Sequence, residues 1–199
     1  MEGQAMKKIP WFAQLLLIMV VAFAGARLLM TQVLSNDTVS GDSMQPTLND
    51  KNRLISLRHH SIKRNDIVVL EAPDVAGELY IKRVIGMPGD SVAVKNEKLY
   101  INGKLTPQPY LKSSFMAKEI MDWGKAYNKN TTGVQFTSDF DLKTNKATQS
   151  QRVPKGEYFV MGDNRFVSHD GRAFGFIKKS SIQSVVVWRY WPLTQMKTY

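Results

Sequence analysis

The stretch Leu79-Tyr80-Ile81-Lys82-Arg83-Val84-Ile85 has the composition of a β-strand. Most of its residues are β-branched, aliphatic or aromatic, as strands prefer. Similar short segments occur along the chain and are separated by turn residues, for example Pro88-Gly89-Asp90 and Asn102-Gly103. We therefore predict a mainly β fold, an antiparallel and partly closed β-barrel-like domain. The predicted strands are 53–57, 66–70, 79–85, 91–94, 98–101, 157–161 and 184–191.

One segment, 111–151, differs in composition from the predicted strands. It is rich in Lys, Asn, Thr, Ser and Asp, with scattered aromatic residues. We interpret it as a polar, β-rich insertion into the main domain.

The N-terminal region contains an apolar run over residues 9–30, interrupted only by Gln14 and Arg27. Its length matches the roughly 20 residues that cross a bilayer. Lysines precede the run, which predicts a cytoplasmic N-terminus at 1–8, a single transmembrane helix at 9–30 and an extracytoplasmic domain at 31–199. A cleaved secretory signal is the alternative, because small residues near the end of the run could mimic a cleavage site.

Composition narrows the chemistry that the domain can perform. The 199 residues suffice for one anchored domain. The net charge of +10 could reflect binding to nucleic acid or to anionic lipid, or simply a solvated basic surface with no such partner. Cysteine is absent, which excludes thiol nucleophiles, disulfides and thiolate metal sites. Any covalent catalysis must therefore use an oxygen or nitrogen nucleophile.

A serine and a lysine are candidates for that chemistry. Ser43 lies in Gly41-Asp42-Ser43-Met44-Gln45-Pro46-Thr47-Leu48, about ten residues beyond the apolar run. It needs a base, and Lys82 can serve only if burial lowers its pKa from the reference value of roughly 10.4. Two other interpretations remain open from the pattern alone: Ser43 in a plain turn, and Lys82 on the solvent face.

A third segment, 160–175, carries charges of both signs and several glycines after an apolar strand. Asp163, His169 and Asp170 could be read as metal ligands, but they lack a fixed ligand spacing and a second nearby histidine. We therefore predict no metal and no cofactor.

Together these segments resemble the type I signal peptidases of the peptidase S26 family, membrane-bound serine-lysine endopeptidases that remove leader peptides from exported proteins. Three family blocks are present in family order behind the anchor: Ser-Met-x-Pro-Thr-Leu at 43–48, Lys-Arg-Val-Ile-Gly-x-Pro-Gly-Asp at 82–90, and Gly-Asp-Asn-Arg followed by Ser, Asp, Arg and Phe-Gly at 162–175. With the anchor, the blocks cover most of the chain outside the insertion, in the manner of the short Gram-positive form.

The resemblance implies a role for each matched residue. Ser43 would be the nucleophile, Lys82 the general base and Ser168 the residue that orients the lysine amine. The oxyanion would be held by the backbone N–H of Ser43 and a donor near Gly41, where some family members have a serine hydroxyl that glycine lacks. Structural support is expected from Asp163, Arg165, Asp170 and Arg172, although glycine at 171 replaces the usual serine. Shallow substrate pockets are expected from Val39, Met44, Leu48, Tyr80 and Ile81.

The resemblance also implies the partners and the location. The substrates would be signal peptides of exported precursor proteins, cut after small residues of the Ala-x-Ala type at the outer face of the cytoplasmic membrane. The lipid bilayer would be a partner, whereas nucleic acid would not.

Two other functions are weighed against this one. A membrane-anchored β domain could bind peptides or anionic surfaces without cleaving them. A serine-lysine self-cleaving repressor is disfavoured, because the apolar run leaves no room before Ser43 for a DNA-binding module.

Overall fold

The computed structural model describes residues 10–199, so the predicted cytoplasmic segment 1–8 and Ile9 lie outside the described residues. Helix α1 (Trp11–Val33) has 23 residues and a mean hydropathy of 2.1 over its most apolar stretch. At about 1.5 Å per residue it is long enough to cross the roughly 30 Å hydrocarbon layer. No residue of that stretch is buried against the rest of the chain. A helix of this length and composition could cross a membrane, as predicted for residues 9–30.

The larger of two sheets begins immediately after α1, because the backbone becomes extended at Leu34. Its strands follow the order β1-β2-β11-β3-β4-β9-β10, β12 pairs with β11, and every pair is antiparallel. The prediction of a mainly antiparallel β fold is confirmed, and partial barrel closure stays a prediction. The strands are β1 (Leu34–Thr38), β2 (Arg53–Arg58), β3 (Ile67–Glu71), β4 (Leu79–Gly86), β9 (Glu157–Met161), β10 (Ile177–Lys178), β11 (Ile182–Trp191) and β12 (Lys197–Thr198).

Strand β4 leaves part of one edge unpaired. It pairs with β3 along its first half, from Leu79 to Arg83. On the other side β9 joins it only from Arg83 onward. In the described part of the chain, the second edge of the segment from Leu79 to Lys82 therefore pairs with no strand. The outer edge of β1 is likewise unpaired within residues 10–199.

The smaller sheet has the order β7-β6-β5-β8. One hydrophobic cluster connects it to the larger sheet, since Val92 and Leu99 of the smaller sheet pack with Ile85 and Phe159 of the larger one. All four side chains are almost completely buried, which fixes the relative position of the two sheets. The strands are β5 (Val92–Lys95), β6 (Lys98–Ile101), β7 (Lys104–Leu105) and β8 (Phe140–Asp141).

The prediction of a β-rich insertion at 111–151 is wrong. Its main element is helix α2 (Ser113–Tyr127), and its strand content is the two-residue β8. Phe115 and Trp123 are eight residues apart and therefore share one helix face. That face packs on aromatic side chains distant in the sequence: Phe115 on Phe136 at 6.1 Å, and Trp123 on Phe166 at 5.7 Å, between ring centroids. Tertiary contacts thus stabilise this helix. The overall polar composition of segment 111–151 does not indicate it.

Candidate active site

A groove of about 760 Å³ lies between the unpaired edges of β1 and β4. The loop that follows β1 forms its floor and carries Ser43, while β4 contributes Lys82. Helix α2 and the segment after β9 close the groove on another side through Glu119 and Asn164. Both candidate catalytic residues of the sequence analysis therefore face the same cavity.

Ser43 and Lys82 form a hydrogen-bonded pair although 39 positions separate them. The Nζ atom of Lys82 lies 3.0 Å from the Oγ atom of Ser43. Only 4% of Lys82 is exposed, so the alternative that it lies on the solvent face is wrong. Burial lowers the pKa of Lys82 to about 8, against the opposing effect of the negative charges of Asp170 and Asp74. An amine in this environment can be neutral, and accept a proton, close to neutral pH.

The backbone around Ser43 leaves one donor free. Within residues 10–199, the N–H of Ser43 donates to no acceptor, whereas its carbonyl oxygen accepts the N–H of Asn164 at 3.0 Å. The N–H of Gly41 instead donates to the Oδ1 atom of Asp50 at 3.0 Å, so this predicted oxyanion donor is engaged elsewhere. Gly41 has a φ of +81°, a backbone conformation that favours glycine over serine.

Ser168 does not form the expected hydrogen bond with Lys82 in this structure. Its Oγ atom is buried and bonds to no group among the described residues. It packs instead against Gly162, where an added Cβ would lie 2.1 Å from the Ser168 Oγ atom and 2.5 Å from the carbonyl oxygen of Ser43. The hydroxyl thus borders the loop that carries Ser43 and has no hydrogen-bond partner in the described part of the chain.

Two ion pairs hold the loop that carries Ser168. Asp163 is fully buried and accepts two hydrogen bonds from Arg83, at 2.7 and 2.6 Å. Asp170 is also fully buried; it pairs with Arg172 at 2.9 Å and accepts the N–H of Gly162 at 2.9 Å. Arg172 lies in the short helix α3 (Gly171–Phe174), which Asp170 caps. The predicted support roles of Asp163, Asp170 and Arg172 agree with this geometry.

Arg165 supports the loop without an ion pair among the described residues. Its Nε atom donates to the carbonyl oxygen of Gly162 at 3.0 Å, and its Nη2 atom donates to the Tyr110 hydroxyl at 3.1 Å. The partner of Asp163 is Arg83, which the sequence analysis did not single out. The three residues considered as metal ligands have separate partners, since Asp163 binds Arg83, Asp170 binds Arg172, and His169 binds Asp74.

Four of the five predicted pocket residues line the groove: Val39, Met44, Tyr80 and Ile81. Leu48 does not, and that prediction is wrong. Its N–H donates to the carbonyl oxygen of Met44 at 2.9 Å, which closes a helical turn. The turn directs the Leu48 side chain into the core behind Val39 and Met44, where it is completely buried.

The chain matches the family described as signal peptidase, peptidase S26, over residues 11–191. It belongs to this family. It is 41% identical over 190 residues to signal peptidase I of Bacillus caldolyticus, which covers 94% of this chain and 91% of the relative. It is 36% identical over 201 residues to signal peptidase IB of Staphylococcus aureus strain Mu50, covering 96% and 95%. The crystal structure of a signal peptidase I from Enterococcus faecalis V583 is similar, with a TM-score of 0.52 and 37% identity over 63% of this chain and 97% of that one.

Family membership makes this protein a peptidase and confirms the resemblance that the sequence motifs indicate. The fold brings to the groove two residues, Glu119 and His169, to which the resemblance assigns no role. Glu119 of α2 accepts a hydrogen bond of 2.9 Å from the Nδ2 atom of Asn164. His169 binds Asp74 and contacts the Tyr80 ring edge to face. The spacing of Phe115, Glu119 and Trp123 is the sequence signal that could have located α2 and its groove-facing side.

Proposed function

We propose that this protein is a signal peptidase I with a Ser43–Lys82 dyad, which cleaves signal peptides from exported precursors after small residues. The observation that carries the proposal is the 3.0 Å contact between a buried lysine amine and a groove-lining hydroxyl. The lowered pKa of Lys82 supports it, because a base must be neutral before it accepts a proton.

The reaction has two stages. As the Ser43 oxygen attacks the scissile carbonyl carbon, its proton passes to the neutral amine of Lys82. The resulting ammonium then gives that proton to the departing amine of the mature protein, and the acyl-enzyme remains. In the second stage Lys82 takes a proton from water, which attacks the ester and releases the signal peptide. The proton returns to the Ser43 oxygen, so the dyad ends as it began.

The surrounding groups are assigned to positioning and charge stabilisation. The free N–H of Ser43 is available to the oxyanion, whereas the Gly41 N–H would have to leave Asp50 to join it. Catalytic hydrogen bonds often form only once the substrate is bound. We therefore retain Ser168, whose buried hydroxyl has no partner within residues 10–199, as the residue that orients the Lys82 amine.

Substrate binding follows from the two unpaired strand edges. An extended peptide in the groove can hydrogen-bond through its backbone to β1 and to the first half of β4, which requires no particular sequence. Apolar side chains from Val39, Met44 and Ile81 line the same groove. Val39 and Met44 are almost fully buried, so the pockets they form are shallow and accept side chains of about the size of alanine.

Location follows from α1 and the charge pattern. We propose a single-pass protein of the cytoplasmic membrane, with residues 1–8 in the cytoplasm and residues 31–199 outside. The helix length and hydropathy support the anchor, and the basic exported part would favour anionic lipid headgroups.

The test uses the full chain in detergent with a precursor that carries an Ala-x-Ala junction. Cleavage after the second alanine is expected for the parent protein and is lost in Ser43→Ala and Lys82→Ala. Ser184→Ala is a matched control, since that serine is buried in β11 away from the groove. Undiminished processing by either dyad variant would remove that residue from the mechanism. Binding of the precursor without cleavage by the parent would instead support the peptide-binding module.

A further inference from the structure

Glu119 is held at a fixed position next to the nucleophile. Its carboxylate accepts a hydrogen bond from the Nδ2 atom of Asn164, and the backbone N–H of the same asparagine donates to the carbonyl oxygen of Ser43. Asn164 is completely buried, so it cannot move independently of either group. One residue therefore connects the Glu119 carboxylate to the loop that carries Ser43.

Helix α2 presents Glu119 toward the groove through packing on both sides of it. Phe115, Glu119 and Trp123 are each four positions apart and share one helix face. The two aromatic residues contact Phe136 and Phe166, whose rings stack on each other with centroids 6.3 Å apart. The carboxylate lies between these two anchored positions, which makes it part of the groove wall.

Glu119 forms no ion pair in the described part of the chain. Among the described residues no Lys, Arg or His nitrogen lies within 4.0 Å of its carboxylate, and its hydrogen-bond donor is a neutral amide. Asp37 and Asp42 also line the groove, where they too accept hydrogen bonds from neutral donors. The carboxylates of Glu119, Asp37 and Asp42 thus form no ion pair within residues 10–199, in a protein of net charge +10.

The position of Glu119 points to the part of the substrate that follows the cut. The edges of β1 and β4 run toward the dyad with increasing residue number, ending at the Ser43 loop and at Lys82. Under the proposed function, the signal-peptide segment before the cut lies along these edges. Glu119 belongs to neither edge and is connected to Ser43 through Asn164. A chain that continues past the dyad leaves these edges, and the wall formed by α2 is available to it.

We propose that Glu119 is a specificity-determining residue that favours basic over acidic side chains in the first residues of the mature protein. The inference rests on the proposed function and deepens it by adding selection by charge after the cut to selection by size before it. A partly exposed ion pair favours binding only severalfold, and a like-charge contact disfavours it by a similar factor. The ratio of kcat/KM between Lys and Glu substrates should therefore be on the order of tenfold.

The experiment uses the full chain and precursors with one Ala-x-Ala junction that carry Lys, Gln or Glu at the first, second or third position after the cut. At one or more of these positions the parent is expected to cleave in the order Lys, Gln, Glu. Glu119→Gln should bring the Lys-to-Glu ratio to within twofold, and Glu119→Lys should reverse the order. Glu119→Asp should keep part of the preference. High salt should reduce the preference in the parent.

Asp122→Asn is the matched control because it removes the same charge from the same helix. Asp122 pairs with Lys118 at the surface and does not line the groove, so the variant should keep the parent ratio. A ratio below twofold for the parent at all three positions would overturn the inference, as would an unchanged ratio in Glu119→Gln. In both cases cleavage of the Gln precursors would leave the proposed function intact. Failure of the parent to cleave any precursor would instead refute the proposed function and this inference with it.

Discussion

Replacing Lys82 by methionine is expected to stabilise the protein at neutral pH while abolishing its activity. Burial lowers the pKa of this amine from 10.5 to about 8, so the folded state holds the proton less tightly than the unfolded state. At about 1.4 kcal/mol per pKa unit, this difference corresponds to about 3 kcal/mol. Methionine has a similar length and carries no charge, so it removes this penalty.

The penalty has a defined pH window. Because the pKa of Lys82 is lower in the folded state, the unfavourable burial of charge is complete below pH 8. It disappears as the pH rises through about 8 toward 10.5, where the amine is neutral in the folded state and losing its proton in the unfolded state. The stability of the parent relative to Lys82→Met should therefore rise by about 3 kcal/mol between pH 7 and pH 10.5.

The assay is urea unfolding of both full-length proteins in the same detergent, followed by tryptophan fluorescence at pH 7, 8, 9 and 10. Other titrating groups are common to the two proteins, so their effects cancel in the difference. Lys104→Met replaces a lysine exposed at the start of β7 and controls for the loss of one positive charge. A stability difference between parent and Lys82→Met that stays constant across this range would refute the assignment of a desolvated amine at position 82.

Three further predictions concern activity and stability. The kcat/KM of the parent should rise with pH through about 8 and be about a tenth of its plateau at pH 7, because only neutral Lys82 accepts a proton. A pH-independent rate between 7 and 9 would contradict this. Gly162→Ala places a Cβ atom 2.1 Å from the Ser168 hydroxyl. The kcat/KM should therefore fall on the order of 100-fold while the circular dichroism spectrum stays unchanged. Parent-like turnover would argue against a tightly packed contact at this position. Arg83→Met leaves buried Asp163 unpaired and should lower the free energy of unfolding in urea by about 3–5 kcal/mol. Adding Asp163→Leu should restore much of this stability. An equal loss in the double variant would show that the unpaired charge is not the cause.

Many strands of both sheets could be predicted from sequence because they are local runs of β-branched and aromatic residues. The strand around Lys82 and the hairpin turn at Asn102-Gly103 are examples, since their signals lie within a few residues. Helix α2 could not be predicted in the same way. Its stability depends on Phe136 and Phe166, which follow the helix residues that they contact by 21 and 43 positions, and the surrounding segment 111–151 is rich in polar residues.

The candidate site could likewise be predicted only in part. The resemblance located Ser43 and Lys82, and the structure places them in contact. The surrounding hydrogen bonds could not be derived, because they depend on which partner each group meets in three dimensions. Gly41 donates to Asp50, a residue nine positions away whose role no motif indicates. Ser168 packs beside Gly162, six positions earlier, a contact that a sequence pattern does not encode.

The junction between α1 and β1 limits where this enzyme can act. The helix ends at Val33 and the strand begins at Leu34, so no linker residue separates α1 from the sheet. The groove is lined from Asn36 onward, only three residues later, or about 10 Å at the rise of an extended chain. With α1 in the membrane, as proposed, such a short tether would hold the groove at a nearly constant depth, close to the lipid headgroups. A precursor would then have to present its junction at that depth, so the proposed location adds a geometric condition to the chemical ones.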